Sequence, residues 1–265
     1  MLIQSHRGVG NLGPENTIES FELGWQMGFV PEADVRVTRD GIIVAFHDND
    51  FTRLAPDAPE EIRHLSIGEL TWDDIAGLDV GCYKGEQFRG QRIPRLGDVL
   101  AQMAGRPERL LYVDFKYISL DQLAELSREY GVTRQIILAS TVYEHLTAWM
   151  ELAPESGTLH WMGGTEERLR ERIDALRAAD FRAITQLQIH VNLIDDLSSA
   201  EPFSPSSGFL REVGEEVKSR GILFQALPWK VADVAVYHRL MDLGVESFAS
   251  DEPQVTLEAA QTYHR

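Results

Sequence analysis

Seven side chains with the means to do acid–base, electrostatic or metal chemistry stand at the ends of short apolar runs in the first 116 residues. They are His6, Arg7, Glu32, Asp34, His47, Asp114 and Lys116. Three carboxylates with no cysteine beside them suit a hard divalent cation such as Ca2+ or Mg2+. Such an ion neutralises a phosphate oxygen and the charge that develops on it in a transition state. Arg7 and Lys116 would add fixed positive charge for the remaining oxygens. Two imidazoles, with a reference pKa of about 6.5, can divide the proton work, one accepting while the other donates. The set reads as a site for cleaving a phosphodiester. Taken singly, each residue has a plainer reading: a carboxylate capping a helix, or a histidine satisfied at a strand end. Convergence of all seven on one rim argues for chemistry.

Strands have to position these residues. Short apolar runs alternate with helical stretches, the pattern of a parallel sheet with helical crossovers. Residues 2–6, 30–34, 42–47, 110–114, 135–139, 157–161, 183–190, 222–226 and 246–250 read as strands. Helices are expected over 17–27, 97–103 and 166–179, with Gly28, Gly131 and Gly244 as stops. Nine strands are one more than a (β/α)8 barrel needs. Between Asp34 and His47 there is no room for a helical crossover, and Asp40-Gly41 is a two-residue hairpin signal. A hairpin centred there pairs Arg39 with Ile42 and, counting outward, Asp34 with His47. The expected fold is an α/β TIM (β/α)8 barrel, with residues 1–265 as one domain. It carries a β-hairpin extension after the second strand and a small insertion, 49–92, at the barrel mouth. Within the insertion, 67–78 reads as a helix and 81–91 as a polar, glycine-containing run; 192–207 reads as a long polar loop. Active sites of such barrels lie at the C-terminal ends of the strands, where the seven residues fall. Period-two alternation puts Glu32 with Asp34, and Asp114 with Lys116, on shared faces.

Charge narrows the partners. With 42 acidic and 25 basic residues, the net charge is −17. A nucleic-acid binder needs a basic footprint, and attachment to anionic lipid needs the same. An anionic small-molecule substrate would have to be met by local cations such as Arg7 and Lys116. Cys82 is the single cysteine, so no internal disulfide forms. No apolar run reaches the roughly 18–20 residues of a membrane span. The opening residues lack a signal-peptide stretch, so a cytoplasmic protein is expected.

Blocks of sequence then carry a resemblance. His6-Arg7-Gly8 with Pro14-Glu15-Asn16-Thr17 comes first. Glu32-Ala33-Asp34-Val35, Thr38-Arg39-Asp40-Gly41 and His47-Asp48 follow. Ile93-Pro94 with Leu96-Gly97-Asp98-Val99-Leu100, then Asp114-Phe115-Lys116, and finally Ser250-Asp251-Glu252-Pro253 complete the series. In order and spacing they resemble the HRG…PENT, ExDV…TxDG…HD, acidic-x-Lys and TDxP blocks of the glycerophosphodiester phosphodiesterases. The likeness is strong over 1–116, weak from about 130 to 240, and returns at the end. It implies that His6 and His47 are the acid/base pair and that Glu32, Asp34 and Asp114 hold Ca2+ or Mg2+. It further implies that Arg7 and Lys116 contact phosphate and that Glu15 and Asn16 support the rim. The implied reaction is hydrolysis of glycerophosphodiesters to sn-glycerol 3-phosphate and an alcohol on a TIM barrel, with 49–92 as the family's insertion.

Two departures bear on substrate. Asp114 stands where the family usually has Glu, as in the related sphingomyelinase D toxins. Leu227-Pro228 replaces a Trp-Thr pair, with Trp229 displaced, so the wall facing the leaving alcohol differs. His160, Trp161, Gln186, Gln188, His190, Gln225 and Trp229 read either as pocket residues or as interior packing. A phospholipase D-like or phosphoinositide phospholipase C-like enzyme is an alternative, but it calls for an apolar lip where 81–91 is polar. A non-catalytic ligand-binding barrel should have lost a histidine or a ligand position, and none is lost. An aldolase or isomerase using Lys116 would leave both histidines without a role.

Overall fold

The computed structural model describes residues 1–264. Ten strands form: β1 (Leu2–Ser5), β2 (Val30–Val37), β3 (Ile43–Ala45), β4 (Leu111–Phe115), β5 (Ile136–Ser140), β6 (Gly157–Met162), β7 (Gln186–Leu193), β8 (Phe203–Ser204), β9 (Leu223–Pro228) and β10 (Ser247–Ser250). All but β3 and β8 follow one another in the hydrogen-bonded order β1-β10-β9-β7-β6-β5-β4-β2, with β2 also paired to β1. Helices intervene along the chain, among them Ile18–Gln26, Leu96–Met103, Leu120–Glu129, Tyr143–Leu152, Glu166–Ala178, Ser207–Ser219 and Val234–Asp242. This is the TIM (β/α)8 barrel expected from sequence. By density of contacts the chain divides into two units, Ser5–Leu138 and Met1–Gln4 with the residues from Ala139 onward. Among the described residues, no helix is long and apolar enough to cross a membrane.

In the unit Ser5–Leu138, β2 is buried on both faces from Val30 to Val35, as a barrel strand must be. It pairs in parallel with β4, setting Asp34 opposite Asp114 and Glu32 opposite Tyr112. Thr17 caps the Ile18–Gln26 helix by accepting from Ser20 N at 3.3 Å, and Gly28 ends it at φ 79°. The indole N–H of Trp25 on that helix donates to Leu110 O at 2.7 Å.

Beyond the barrel β2 turns and returns as β3, but in a different register from the one expected. The pairs are Val35–Ala45, Arg36–Val44 and Val37–Ile43. Phe46 N, not His47, faces Asp34, donating to its carbonyl at 2.8 Å. The loop has three residues, 39–41, instead of two. Thr38 explains the difference: its hydroxyl accepts from Ile42 N at 2.9 Å and donates to Asp40 at 2.6 Å. Gly41 closes the turn at φ 85°, the left-handed position of a three-residue hairpin. The shift buries Phe46 and leaves half-buried His47 just past it.

Phe46 joins a second apolar core with Val44, Phe51, Leu54, Ile67, Ile75 and their neighbours from the 49–92 segment. Its ring lies 5.3 Å from that of Phe51. The helix expected over 67–78 is two short pieces, a 3-10 turn Ile67–Glu69 and an α-turn Trp72–Ile75. Each begins with its own capping box, Ser66 with Glu69 and Thr71 with Asp74. A second cap in mid-segment restarts the helix, so one continuous rod cannot form.

In the other unit, β7 pairs in parallel with β6 and β9, and β9 with β10. The 192–207 segment is not all loop. β7 runs on to Leu193, and β8 folds back on it antiparallel, Asn192 opposite Ser204 and Leu193 opposite Phe203. Phe203 is buried and anchors this return.

Phe51→Ala removes a fully buried ring from the 49–92 core, and large core truncations of this kind cost about 3–5 kcal/mol. Urea unfolding should show a loss of that order. A loss below about 1 kcal/mol would mean that this core does not unfold with the rest.

Candidate active site

Eight of the nine residues marked in the sequence, all but His6, are tied together by side-chain geometry within Ser5–Leu138, and all nine belong to that unit. Glu32, Asp34 and Asp114 are buried, and each offers an oxygen within 4.8 Å of the others'. β2 supplies two of these carboxylates from one face and β4 supplies the third through the Asp34–Asp114 register. Asn16 holds Asp34 from both sides. Its amide donates to Oδ2 at 2.9 Å and its carbonyl oxygen accepts from Asp34 N at 3.0 Å. Asn16 takes a left-handed φ of 54°, as does Arg7, whose carbonyl accepts from Asn16 N at 2.8 Å.

Cations balance the trio. Lys116 Nζ lies 2.6 Å from Asp114 Oδ2 and 3.3 Å from Asp34 Oδ1, and Arg7 Nε lies 3.8 Å from Asp34 Oδ2. Burial favours the neutral form of Asp34, but Lys116, His47 and Arg7 outweigh it and hold the carboxyl below the ordinary range. Asp114 goes the other way: burial first, then repulsion from Asp34, pushes it up to about 7. Burial works against the charge on Lys116, yet Asp114 and Asp34 raise its pKa above the usual lysine value. Three buried carboxylate groups this close form an all-oxygen donor set that fits a hard divalent cation.

His47 is oriented through both ring nitrogens. Nδ1 lies 2.7 Å from Asp48 Oδ1, and Nε2 lies 2.8 Å from Arg7 Nη2. A guanidinium only donates, so Nε2 is the acceptor and Nδ1 carries the hydrogen. The His47 carbonyl accepts two bonds from Arg36, at 3.0 and 2.8 Å. Burial raises Asp48, but hydrogen bonds from His47 and Arg53 prevail and leave it strongly acidic. Glu15 accepts from Arg7 at 3.2 Å and from Arg53 at 2.7 and 2.9 Å. Its backbone N–H donates to the Tyr83 hydroxyl at 2.9 Å. Glu15, His47 and Asp48 also form a compact group of potential ligands, but two guanidinium groups already occupy it. His6 follows directly on β1, half-buried, and its backbone carbonyl accepts from Gly10 N at 2.9 Å.

Arg53 and Tyr83 were missed from sequence. Arg53 sits six positions after His47 in a polar stretch, where only its reach to Asp48 could have flagged it. Tyr83 lies inside the polar 81–91 run and gives no signal of its own.

Residues 6–255 match the model of the glycerophosphoryl diester phosphodiesterase family. The match covers the carboxylate trio, both histidines and the closing block, so the chain belongs to that family of phosphoric diester hydrolases. A glycerophosphodiester phosphodiesterase of Caldanaerobacter subterraneus subsp. tengcongensis is 26% identical over 97% of this chain and 96% of its own. Among solved structures, the glycerophosphodiester phosphodiesterase of Agrobacterium tumefaciens superposes with a TM-score of 0.72 at 24% identity, covering 98% of this chain and 99% of its own. An Oleispira antarctica phosphodiesterase, solved with the product sn-glycerol-3-phosphate, gives 0.72 at 22% identity, covering 99% and 97%.

Polar residues of the second half mostly satisfy one another. The Gln188 amide donates to Gln4 Oε1 at 3.3 Å and to Gln225 Oε1. Gln225 in turn donates to Ser247 at 3.0 Å. Trp161 stacks on His190 at 5.1 Å, with Trp229 edge-on to the same imidazole at 5.5 Å. His160 is buried. Its Nδ1 lies 3.0 Å from Ser140 O and its Nε2 lies 3.3 Å from Arg172 Nη2. Burial, then the charge of Arg172, lowers its pKa from 6.5 to about 4. A depressed histidine makes the unfolded state the better proton binder, so its contribution is complete above pH 6.5 and fades toward pH 4. His160→Asn should therefore lose unfolding free energy less steeply on acidification across that window, by up to about 1.4 kcal/mol per pH unit. Urea titrations of both proteins at stepped pH measure the two slopes, and equal slopes would refute the assignment.

Proposed function

We propose that this chain hydrolyses glycerophosphodiesters to sn-glycerol 3-phosphate and an alcohol, with a divalent metal and a His6/His47 proton relay. The observation that carries the reading is the meeting of Glu32, Asp34 and Asp114 beside an imidazole whose two nitrogens are already assigned. The Oleispira antarctica neighbour's bound product supports the same product here. The reading treats residues 1–265 as one catalytic domain with 49–92 inserted.

Glu32, Asp34 and Asp114 would hold the ion, Ca2+ or Mg2+. When bound, it supplies Lewis-acid stabilisation of charge on a non-bridging phosphate oxygen. Arg7 and Lys116 flank the trio and can take the other oxygens, with Arg7 exchanging part of its hold on Glu15 and His47 for phosphate. Asn16 and Glu15 keep Asp34 and Arg7 in place. His47 is confined to proton exchange at Nε2, because Nδ1 is committed to Asp48. One imidazole takes the proton from the attacking hydroxyl, a glycerol hydroxyl or water. The phosphorus–oxygen bond to the alcohol breaks, and the other imidazole protonates the departing oxygen. Attack by the glycerol hydroxyl passes through a cyclic phosphate that water then opens.

Glycerol 3-phosphate release should be measured over a panel of glycerophosphodiesters with Ca2+, Mg2+ and Mn2+. His6→Ala and His47→Ala should each lower turnover by about 10²–10⁴-fold, the usual value of a positioned proton carrier, with the thermal midpoint nearly unchanged. Full activity in both variants would defeat the relay. After EDTA treatment, calorimetric titration with Ca2+ or Mg2+ should show one saturable site that Asp34→Asn removes. Equal binding by that variant would move the metal away from the trio.

A further inference from the structure

One cation of the rim has no task in the reaction above. Arg53, from the 49–92 segment, touches none of the three clustered carboxylates, yet it donates four short bonds. Nε reaches Asp48 Oδ2 at 2.7 Å and Nη2 reaches Asp48 Oδ1 at 2.7 Å. Nη1 reaches Glu15 Oε2 at 2.7 Å and Nη2 reaches Glu15 Oε1 at 2.9 Å. Each carboxylate leads on to a group that handles substrate. Asp48 receives His47 Nδ1–H at 2.7 Å, and Glu15 receives Arg7 Nη1–H at 3.2 Å. The two branches meet again where Arg7 Nη2 faces His47 Nε2 at 2.8 Å.

Five side chains thus close a ring: Arg53, Asp48, His47, Arg7, Glu15 and back to Arg53. Two guanidinium groups and two carboxylates balance around a neutral imidazole. Glu15, His47 and Asp48 ligand atoms lie within 4.8 Å of one another. Without Arg53, two carboxylates would face each other with Arg7 as their sole shared cation. Arg7 would be drawn toward Asp48, and the bond that selects the His47 tautomer would be lost. Lysine cannot replace the planar fork, since a single ammonium does not serve two carboxylates in the same plane.

We propose that Arg53 is a positioning residue: it fixes the tautomer and ring plane of His47 through Asp48, and the aim of Arg7 through Glu15. The proposal rests on the glycerophosphodiesterase reading for its kinetic consequence, but its geometric core can be tested apart from turnover. Arg53→Ala should lower kcat by about 10–100-fold, the usual effect of removing a partner that orients an imidazole through its second nitrogen, while Ca2+ affinity changes little. Arg53→Lys should recover only a small part of kcat, and methylguanidine added to Arg53→Ala should recover more.

The second readout is long-range 15N–1H correlation of the histidine rings in metal-free protein, without substrate. In the parent chain His47 should show one tautomer, hydrogen on Nδ1; in Arg53→Ala it should show a mixture or the opposite form. Unchanged His47 signals in Arg53→Ala would overturn the proposal, as would parental kcat in that variant. An inactive parent chain would refute the substrate reading, and the ring signals would still decide the role of Arg53.

Discussion

Like charges brought close in a buried place repel, and this rim exists only because the repulsion is answered. At an intermediate dielectric, two unit charges about 4 Å apart interact by about 4 kcal/mol. Three carboxylates within that range would spread apart if their strands allowed it. The β2–β4 register does not: Asp34 and Asp114 are opposite one another in a parallel pair, and Glu32 shares the face of Asp34. Lys116, two residues beyond Asp114, bridges Asp114 and Asp34, and Asn16 absorbs part of the Asp34 charge through its amide. The residual imbalance appears in Asp114, whose carboxyl retains its proton far more readily than a solvated aspartate. A divalent cation held by the three carboxylates would relieve the same imbalance.

The arm that delivers His47 needs support of another kind. A two-stranded hairpin alone is marginal in water. Here it is held from both ends by the 49–92 segment. At the tip, Arg39 N donates to Leu70 O at 2.8 Å and Asp40 accepts from Trp72 N at 3.0 Å. At the base, Phe46 packs into the apolar core around Phe51. The 49–92 segment is thus a buttress for the arm that carries the imidazole, and two of its short helices begin with capping boxes of their own.

Much of this was legible in the chain. Period-two and helical patterns located all eight barrel strands, and strand-end chemistry located the residues of the rim. What the pattern could not supply was local hydrogen bonding by side chains. Thr38 turned a two-residue hairpin into a three-residue one and moved the register by one. Thr71 with Asp74 broke the helix expected over 67–78. Phe203, one apolar residue in a polar stretch, sits in a two-residue strand that folds back on Asn192 and Leu193. Arg53 and Tyr83 escaped notice because their importance lies in partners far away in sequence, and no periodicity encodes that. His160 and Gln188 could be read from sequence as pocket residues or as interior packing, and their burial and hydrogen bonds account for them as interior.

The short strand β1 sets a schedule for the molecule. Met1–Gln4 belong with the residues from Ala139 onward, and the carbonyl of Leu2 accepts from Ser247 Oγ at 2.8 Å, across 245 positions of sequence. Closing so long a loop is an entropic cost met only when the far partner exists. During synthesis Leu2 is made 245 positions ahead of the serine that ties it down, so this strand stays unpaired with that partner while the residues between are added.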